Sequence, residues 1–249
     1  MLQYLWTVPL LPLLGFMILT FYRSKLNERA AAIIGVGTIS LAAVITALIG
    51  YDFLYVSGIP REGEGYTQHL WTWIAVGDFT PQIAFYLDGL SLTMLGIITG
   101  VGALIHLFAA GYMHGDAGFA RFFAYMNLFV FAMLVLVLAD NMLLLYMGWE
   151  GVGLASYLLI GFWYQDPANG AAARKAFIVT RVGDTLMAIG LFILFNQLHT
   201  LNIQDAMVAA NRTWAVGNET ALAVALLLLG GALGKSAQVP LHTWLPDAM

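Results

Sequence analysis

Long apolar runs separated by short polar stretches dominate the chain, and their lengths set the first constraint. A helix rises about 1.5 Å per residue, so about 20 apolar residues cross a hydrocarbon layer of about 30 Å. Seven runs reach or approach that length: residues 2–22, 30–50, 86–110, 119–139, 142–164, 174–197 and 220–239. The last is the least regular, and the remaining segments leave no room for a soluble domain. The predicted class is an all-α polytopic membrane protein of about seven transmembrane helices. Two connections carry patterns of their own. Residues 51–85 contain two alternating runs, 70–76 and 82–87, around Gly77-Asp78-Phe79-Thr80-Pro81, which predicts a small hairpin on the outer face. Asn202-Ile203-Gln204-Asp205 places an N-cap residue before an acid in the first turn, which predicts a short surface helix over 206–210.

Composition supports this class. Hydrophobic residues make up 61% of the 249 and charged residues 10%, and the mean hydropathy is +0.82. The net charge of -4 is spread over several loops and offers no basic patch for nucleic acid. No cysteine is present, which removes disulfides, Fe–S ligation and cysteine-bound zinc. The first run has its cations (Arg23, Lys25, Arg29) after it and none before, the reverse of a secretory signal, so it reads as a retained first helix. With the N-terminus outside, the inner connections hold six cations (adding Arg121, Arg174 and Lys175) and the outer ones only Arg61 and Arg212, as the positive-inside rule requires. Two sequons, at Asn211 and Asn218, matter only in a eukaryotic secretory pathway.

Against that background the buried charges stand out. Glu150 lies nine residues beyond Asn141 in the fifth run, about 14 Å deep. An acid at that depth costs a few kcal/mol on insertion scales, so it reads as functional, the alternative being an acid that faces a water-filled cleft or is paired only for packing. Arg181 and Asp184 are three apart on one face of the sixth run, where they form either a self-neutralising pair or part of a path. In the seventh run Gly230-Gly231-Ala232-Leu233-Gly234 loosens the helix, Lys235 follows, and Pro240 removes the amide that would bond the Ser236 carbonyl. A broken helix at membrane depth marks a transport site. Lys235 at that break is the second candidate, the alternative being a lysine that snorkels to the interface. Burial penalises both charged forms and proximity of the opposite charge supports both, so moving Lys235 relative to Glu150 would take up or release protons. His242 is placed to relay one, an imidazole titrating near neutral pH. His106, in the third run, is a weaker candidate.

These same residues carry a family resemblance. Gly148 to Trp163 (GWEGVGLASYLLIGFW), Lys175 to Asp184 (KAFIVTRVGD) and Gly231 to Met249 (GALGKSAQVPLHTWLPDAM), with Asp88-Gly89-Leu90-Ser91 opening the third run, resemble one family over essentially the whole chain. It is the L-subunit family of bacterial NADH:quinone oxidoreductase, the largest antiporter-like membrane subunits of respiratory complex I. Sodium/proton antiporter subunits share the scaffold. The resemblance implies the first half of an inverted-repeat antiporter-like fold, with residues 1–117 as N-terminal helices and 118–249 as the start of the first repeat. It implies that Glu150 and Lys235 are the proton-translocating couple of the first half-channel. Arg181 and Asp184 are then the charged pair of the sixth helix, Arg181 modulating the glutamate, and His242 is a polar position on the central axis. NADH, FMN, Fe–S clusters and quinone are expected on partner subunits, with no cofactor or metal on this chain. The expected partners are the other membrane subunits of the complex, the neighbouring antiporter-like subunit above all, and the lipid bilayer. The expected location is a bacterial inner membrane rather than a mitochondrial one. Family members continue for several hundred residues, through a second repeat and a lateral helix, so the chain is expected to be a fragment. The expected function is proton translocation coupled to quinone reduction. The alternatives are a sodium/proton antiporter subunit, and a spacer whose charges only hold helices together.

Overall fold

The computed structural model describes residues 1–59, 65–77 and 79–248. Arg61, Asp78 and Met249 lie outside the described residues. Among the described residues six helices are long and apolar enough to cross a membrane: Leu2–Phe21, Glu28–Val56, Gly89–Tyr112, Phe119–Leu138, Met142–Ile160 and Pro167–Leu198. The regular parts of the first two are α1 (Thr7–Phe21) and α2 (Glu28–Tyr51), the latter continued by a π-helical turn, Asp52–Val56. The hairpin follows, β1 (Tyr66–Thr72) paired with β2 (Gln82–Leu87). The third span is α3 (Gly89–Gly96), a π-helical turn (Ile97–Val101) and α4 (Gly102–Tyr112). Then come α5 (Phe119–Leu138), α6 (Met142–Ile160), α7 (Pro167–Leu198), α8 (Ile203–Thr213), α9 (Glu219–Lys235) and the short α10 (Leu245–Ala248).

Local chemistry explains most of these boundaries. Asn27, Asn141 and Asn218 each accept a hydrogen bond from the backbone N–H three residues on, capping α2, α6 and α9. Asp88 and Ser91 form a reciprocal capping box at α3, so the Asp88-Gly89-Leu90-Ser91 motif acts as a helix start. The sixth span begins at Pro167, seven residues before the hydropathy limit, because Asp166 caps Ala168 N–H and Pro167 suits the first helical position. Arg174 and Lys175 therefore sit inside α7 rather than in a loop. The surface helix α8 is longer than 206–210, with Asn202 accepting from Asp205 N–H.

The first strand is Tyr66–Thr72, four residues earlier than expected. Pro81 offers no N–H, its carbonyl accepts from both Trp73 and Ile74, and Val76 and Phe79 close a tight turn with Gly77 at φ 55°. Strand pairing has therefore ended before residue 76.

The chain divides into two compact units: residues 1–70, 84–139 and 147–155 form one, and residues 71–83, 140–146 and 156–249 the other. In the first unit α1, α2 and α5 meet at Asn127, which is fully buried. Its amide donates to the Gly35 and Phe123 carbonyls at 3.2 and 2.9 Å, and its oxygen accepts from Thr38 Oγ1 at 2.8 Å. Close approach is required here, since a Cβ on Gly15 would lie 2.5 Å from Asn127 Oδ1. Small residues thus let helices approach around an interhelical hydrogen bond, as membrane packing favours.

In the second unit α7 packs along α9, and a buried polar cluster ties the start of α6 to its neighbours. Asn141 donates to the Gln82 carbonyl at 2.8 Å and to Asp140 Oδ1 at 2.6 Å, while Asn202 donates to Asp140 Oδ2 at 3.2 Å.

Candidate functional site

The contact between α7 and α9 is made through backbone. A Cβ on Gly183 would lie 2.7 Å from the Gly230 carbonyl oxygen and 3.2 Å from Gly234 Cα, and one on Gly231 would lie 2.8 Å from Met187 Cβ. The glycines of the seventh run therefore do not loosen the helix. All of Gly230, Gly231 and Gly234 are buried inside regular α9, where the lack of a side chain allows the two helices to touch.

The helix also stops for a different reason than proline. It ends at Lys235, five residues before Pro240. Ala237 adopts φ 50°, its N–H bonds the Gly234 carbonyl at 3.4 Å, and Gln238 N–H bonds the Leu233 carbonyl at 3.0 Å. This is the left-handed C-terminal cap in which two backward bonds satisfy the last carbonyls. Trp244 then folds back and its indole N–H donates to the Gly234 carbonyl at 3.1 Å. The expected discontinuity is present, formed by backbone capping at an alanine that has no glycine-like signature.

Close packing of α7 on α9 brings three charges together. Lys235 Nζ lies 3.7 Å from Asp184 Oδ2, and Arg181 Nη1 lies 3.9 Å from the same oxygen. The Asp184 side chain is 1% exposed, that of Lys235 18% and that of Arg181 34%. One buried carboxylate thus faces two cations. Arg181 and Asp184 are not a closed self-neutralising pair, because Lys235 comes closer to the shared oxygen than Arg181 does. The Arg181 guanidinium stacks over the Phe177 ring at 4.3 Å, an arrangement that supports a cation in an apolar setting. Tyr146 donates to the Asp184 backbone carbonyl at 3.4 Å.

Glu150 lies on α6, and both of its carboxylate oxygens are buried. It belongs to the first unit, where α6 meets α5 through glycines. A Cβ on Gly148 would lie 2.6 Å from Leu136 N, and one on Gly151 3.0 Å from Ala132 Cβ. His242 is exposed, in the turns after the break. His106 is fully buried on α4 with Nδ1 2.7 Å from the Gly102 carbonyl of its own helix, the setting of a core histidine.

The ion pair of Lys175 with Asp247, at 2.6 Å, escaped sequence reasoning. It ties the first part of α7 to the segment beyond the break. Its signal was hidden because Lys175 had been placed in a loop. Among the described residues no group of three or more His, Cys, Asp or Glu is placed to hold a metal ion.

Comparison with known proteins places the chain. Residues 139–249 match the family described as "NADH:quinone oxidoreductase/Mrp antiporter, TM", and residues 73–123 match "NADH-Ubiquinone oxidoreductase (complex I), chain 5 N-terminus". The NADH-quinone oxidoreductase subunit L of Escherichia coli (strain K12) is 58% identical over 240 residues, which is 96% of this chain and 38% of that protein. Over these residues the chain is similar to the N-terminal part of the L subunits. The Pseudomonas aeruginosa L subunit is 57% identical over the same length, again 38% of that protein, and the Mycobacterium tuberculosis one is 42% identical over 247 residues. The chain thus spans about 38% of the length of these relatives. All of Glu150, Arg181, Asp184, Lys235 and His242 fall inside the longer family match.

Two solved structures share the fold. One is the Mrp complex from Dietzia sp. DQ12-45-1b, with TM-score 0.76 at 24% identity over 97% of this chain and 25% of that one. The other is the membrane-bound sulfane sulfur reductase, an archaeal respiratory membrane complex, with TM-score 0.80 at 16% identity over 99% of this chain and 47% of that one. At these identities the likeness is one of fold. With the L-subunit relatives it establishes a multi-pass, antiporter-like membrane protein.

Proposed function

We propose that the chain is the N-terminal part of a proton-translocating membrane subunit of a bacterial NADH:quinone oxidoreductase. Protons cross along its buried charges while electrons pass from NADH to quinone in other subunits. The observation that carries this reading is the Lys235–Asp184 pair, 3.7 Å apart with its carboxylate buried, at the end of a helix that stops inside an apolar run. Burial penalises each charge and the partner's charge supports it, so the separation of the pair sets how firmly its protons are held. A movement of the segment after Lys235 changes that separation.

In this reading Lys235 and Glu150 are the proton-carrying couple. Asp184 stabilises the charged lysine in one state, Arg181 is the modulating cation, and His242 passes protons beyond the break. The NADH, FMN, Fe–S and quinone chemistry lies on partner subunits, in keeping with a chain that has no cysteine. The partners include the neighbouring antiporter-like subunit, and the membrane is a bacterial inner membrane with the N-terminus outside, as the distribution of cations argues.

The family description also names Mrp antiporters, which keeps a sodium/proton antiporter subunit as the second reading. The candidate set holds two acids and two cations (Glu150, Asp184, Arg181, Lys235), whereas a sodium site needs several converging oxygens. That balance favours protons.

The test compares proton pumping with NADH oxidation in inverted membrane vesicles for the parent complex and Glu150→Gln, with assembly checked on the same sample. Pumping per NADH is expected to fall about tenfold or more, the scale of losing a proton-transfer group, while the complex stays intact. Unchanged pumping makes Glu150 a packing residue and removes the reading.

A further inference from the structure

From Met142 to Ala155, helix α6 holds one acid, Glu150, and one hydroxyl, that of Tyr146. They stand four residues apart in a regular helix, so they share a face and are separated by about 6 Å along its axis. Tyr146 lies five residues beyond Asn141, about 7.5 Å into the apolar span.

Tyr146 also reaches the charges of α7, and Tyr146, Arg181 and Asp184 all belong to the second unit. The tyrosine is half-buried, and its hydroxyl donates to the Asp184 backbone carbonyl at 3.4 Å. The Asp184 carboxylate and the Arg181 guanidinium both act on it electrostatically. Hydroxyls of α7 beside these charges are committed to their own helix: Thr180 donates to the Phe177 carbonyl at 3.1 Å and Thr185 to the Arg181 carbonyl at 2.8 Å. The Tyr146 bond instead crosses between helices and is long for an O–H···O contact. Its oxygen accepts no hydrogen bond among the described residues. A neutral phenol has one proton to give and lone pairs that take another, and a hydroxyl held this loosely turns at little cost.

We propose that the Tyr146 hydroxyl relays a proton between Glu150 and the Asp184–Lys235 charges. In one transfer the phenol oxygen takes a proton from the protonated Glu150 carboxyl while its own O–H proton leaves toward the Asp184 carboxylate, each hop being direct or over one water. Glu150 ends as a carboxylate, Asp184 as an acid, and the phenol neutral with a different hydrogen. Lys235 in its neutral form, 3.7 Å away, then takes the proton from Asp184, which restores the carboxylate and leaves the charged lysine beside it. A turn of the hydroxyl resets the relay. The inference rests on the reading of Glu150 and Lys235 as a proton-carrying couple.

The test reads proton pumping per NADH oxidised by the whole complex in inverted vesicles, with assembly checked on the same sample. Tyr146→Phe keeps the ring and removes the hydroxyl. Pumping is expected to fall about threefold to tenfold, the size of one hydrogen bond lost from a transfer step, in an assembled complex that still oxidises NADH. Glu150→Gln is measured beside it. Parent-level pumping in Glu150→Gln overturns the underlying couple and the relay with it, whereas a loss there with none in Tyr146→Phe overturns the relay alone. Losing the bond to the Asp184 carbonyl also alters packing, so a second series separates the two roles. Mono- and difluorinated tyrosines placed at position 146 keep the ring and the donor but make the phenol a stronger acid. At a pH where every ring stays neutral, a relay makes pumping change in graded fashion with ring acidity, by about twofold or more across the series. A hydroxyl that only positions Asp184 gives parent-level pumping throughout, and that result overturns the proposal. The series decides the matter even where Tyr146→Phe fails to assemble.

Discussion

Asp184→Asn is expected to reduce proton pumping per NADH oxidised about tenfold or more and to weaken the subunit. Asp184 is the carboxylate that both Lys235 and Arg181 approach, at 3.7 and 3.9 Å, and its side chain is all but inaccessible. Removing the acid leaves the cations facing it without their partner, which costs about 3–5 kcal/mol for a fully buried charge and less here, where Lys235 and Arg181 are partly exposed. A transfer step that loses only about 1.4 kcal/mol of such support slows about tenfold. Asp184→Glu keeps the charge and is expected to recover part of the pumping. Vesicle pumping, with assembly measured on the same sample, separates the two effects. Equal pumping in parent and Asp184→Asn would mean that the acid serves packing alone.

Gly183→Val is expected to destabilise the α7–α9 pair by about 1–3 kcal/mol, the range for overpacking a tight contact. The clash is with backbone, the Gly230 carbonyl at 2.7 Å and Gly234 Cα at 3.2 Å, so no side chain can swing aside. The helices must separate, which carries Lys235 away from Asp184. Pumping is therefore expected to fall with stability, although no charge has been altered. Gly170→Val, on the same helix where a Cβ meets nothing within 4 Å, is the control. Denaturant unfolding in detergent, read beside pumping, checks both.

These two residues show what was and was not legible beforehand. Asp184 and Lys235 could be singled out because charge inside an apolar run is costly wherever it occurs. That they face each other could not, because their separation depends on how closely α7 and α9 approach. The glycines that set that distance were read as flexibility, a one-helix property, when their effect is an interhelical one. The break after Lys235 was foreseen for the wrong cause. Proline announces itself in a sequence, whereas Ala237 in a left-handed cap is visible only through the bonds of Ala237 and Gln238 back to Gly234 and Leu233. The six long spans and the start of α8 followed from apolar length and cap residues, which are local. Strand β1 moved because where pairing stops is decided by the turn around Val76 and Phe79. The approach of α1, α2 and α5 at Asn127 had no signal at all, since a buried asparagine looks like any polar interruption until its partners are known.

The central claim is that Lys235 exchanges a proton rather than merely holding a charge in place. Lys235→Arg tests it most directly, because arginine keeps the positive charge and the attraction to Asp184 but does not deprotonate in proteins. The measurement is proton pumping per NADH oxidised by the intact complex in inverted vesicles. The account predicts an assembled complex that still reduces quinone and a fall in pumping of about tenfold or more. Pumping at the parent level with arginine in place would contradict it, and would leave the Lys235–Asp184 pair as a structural clasp between two helices.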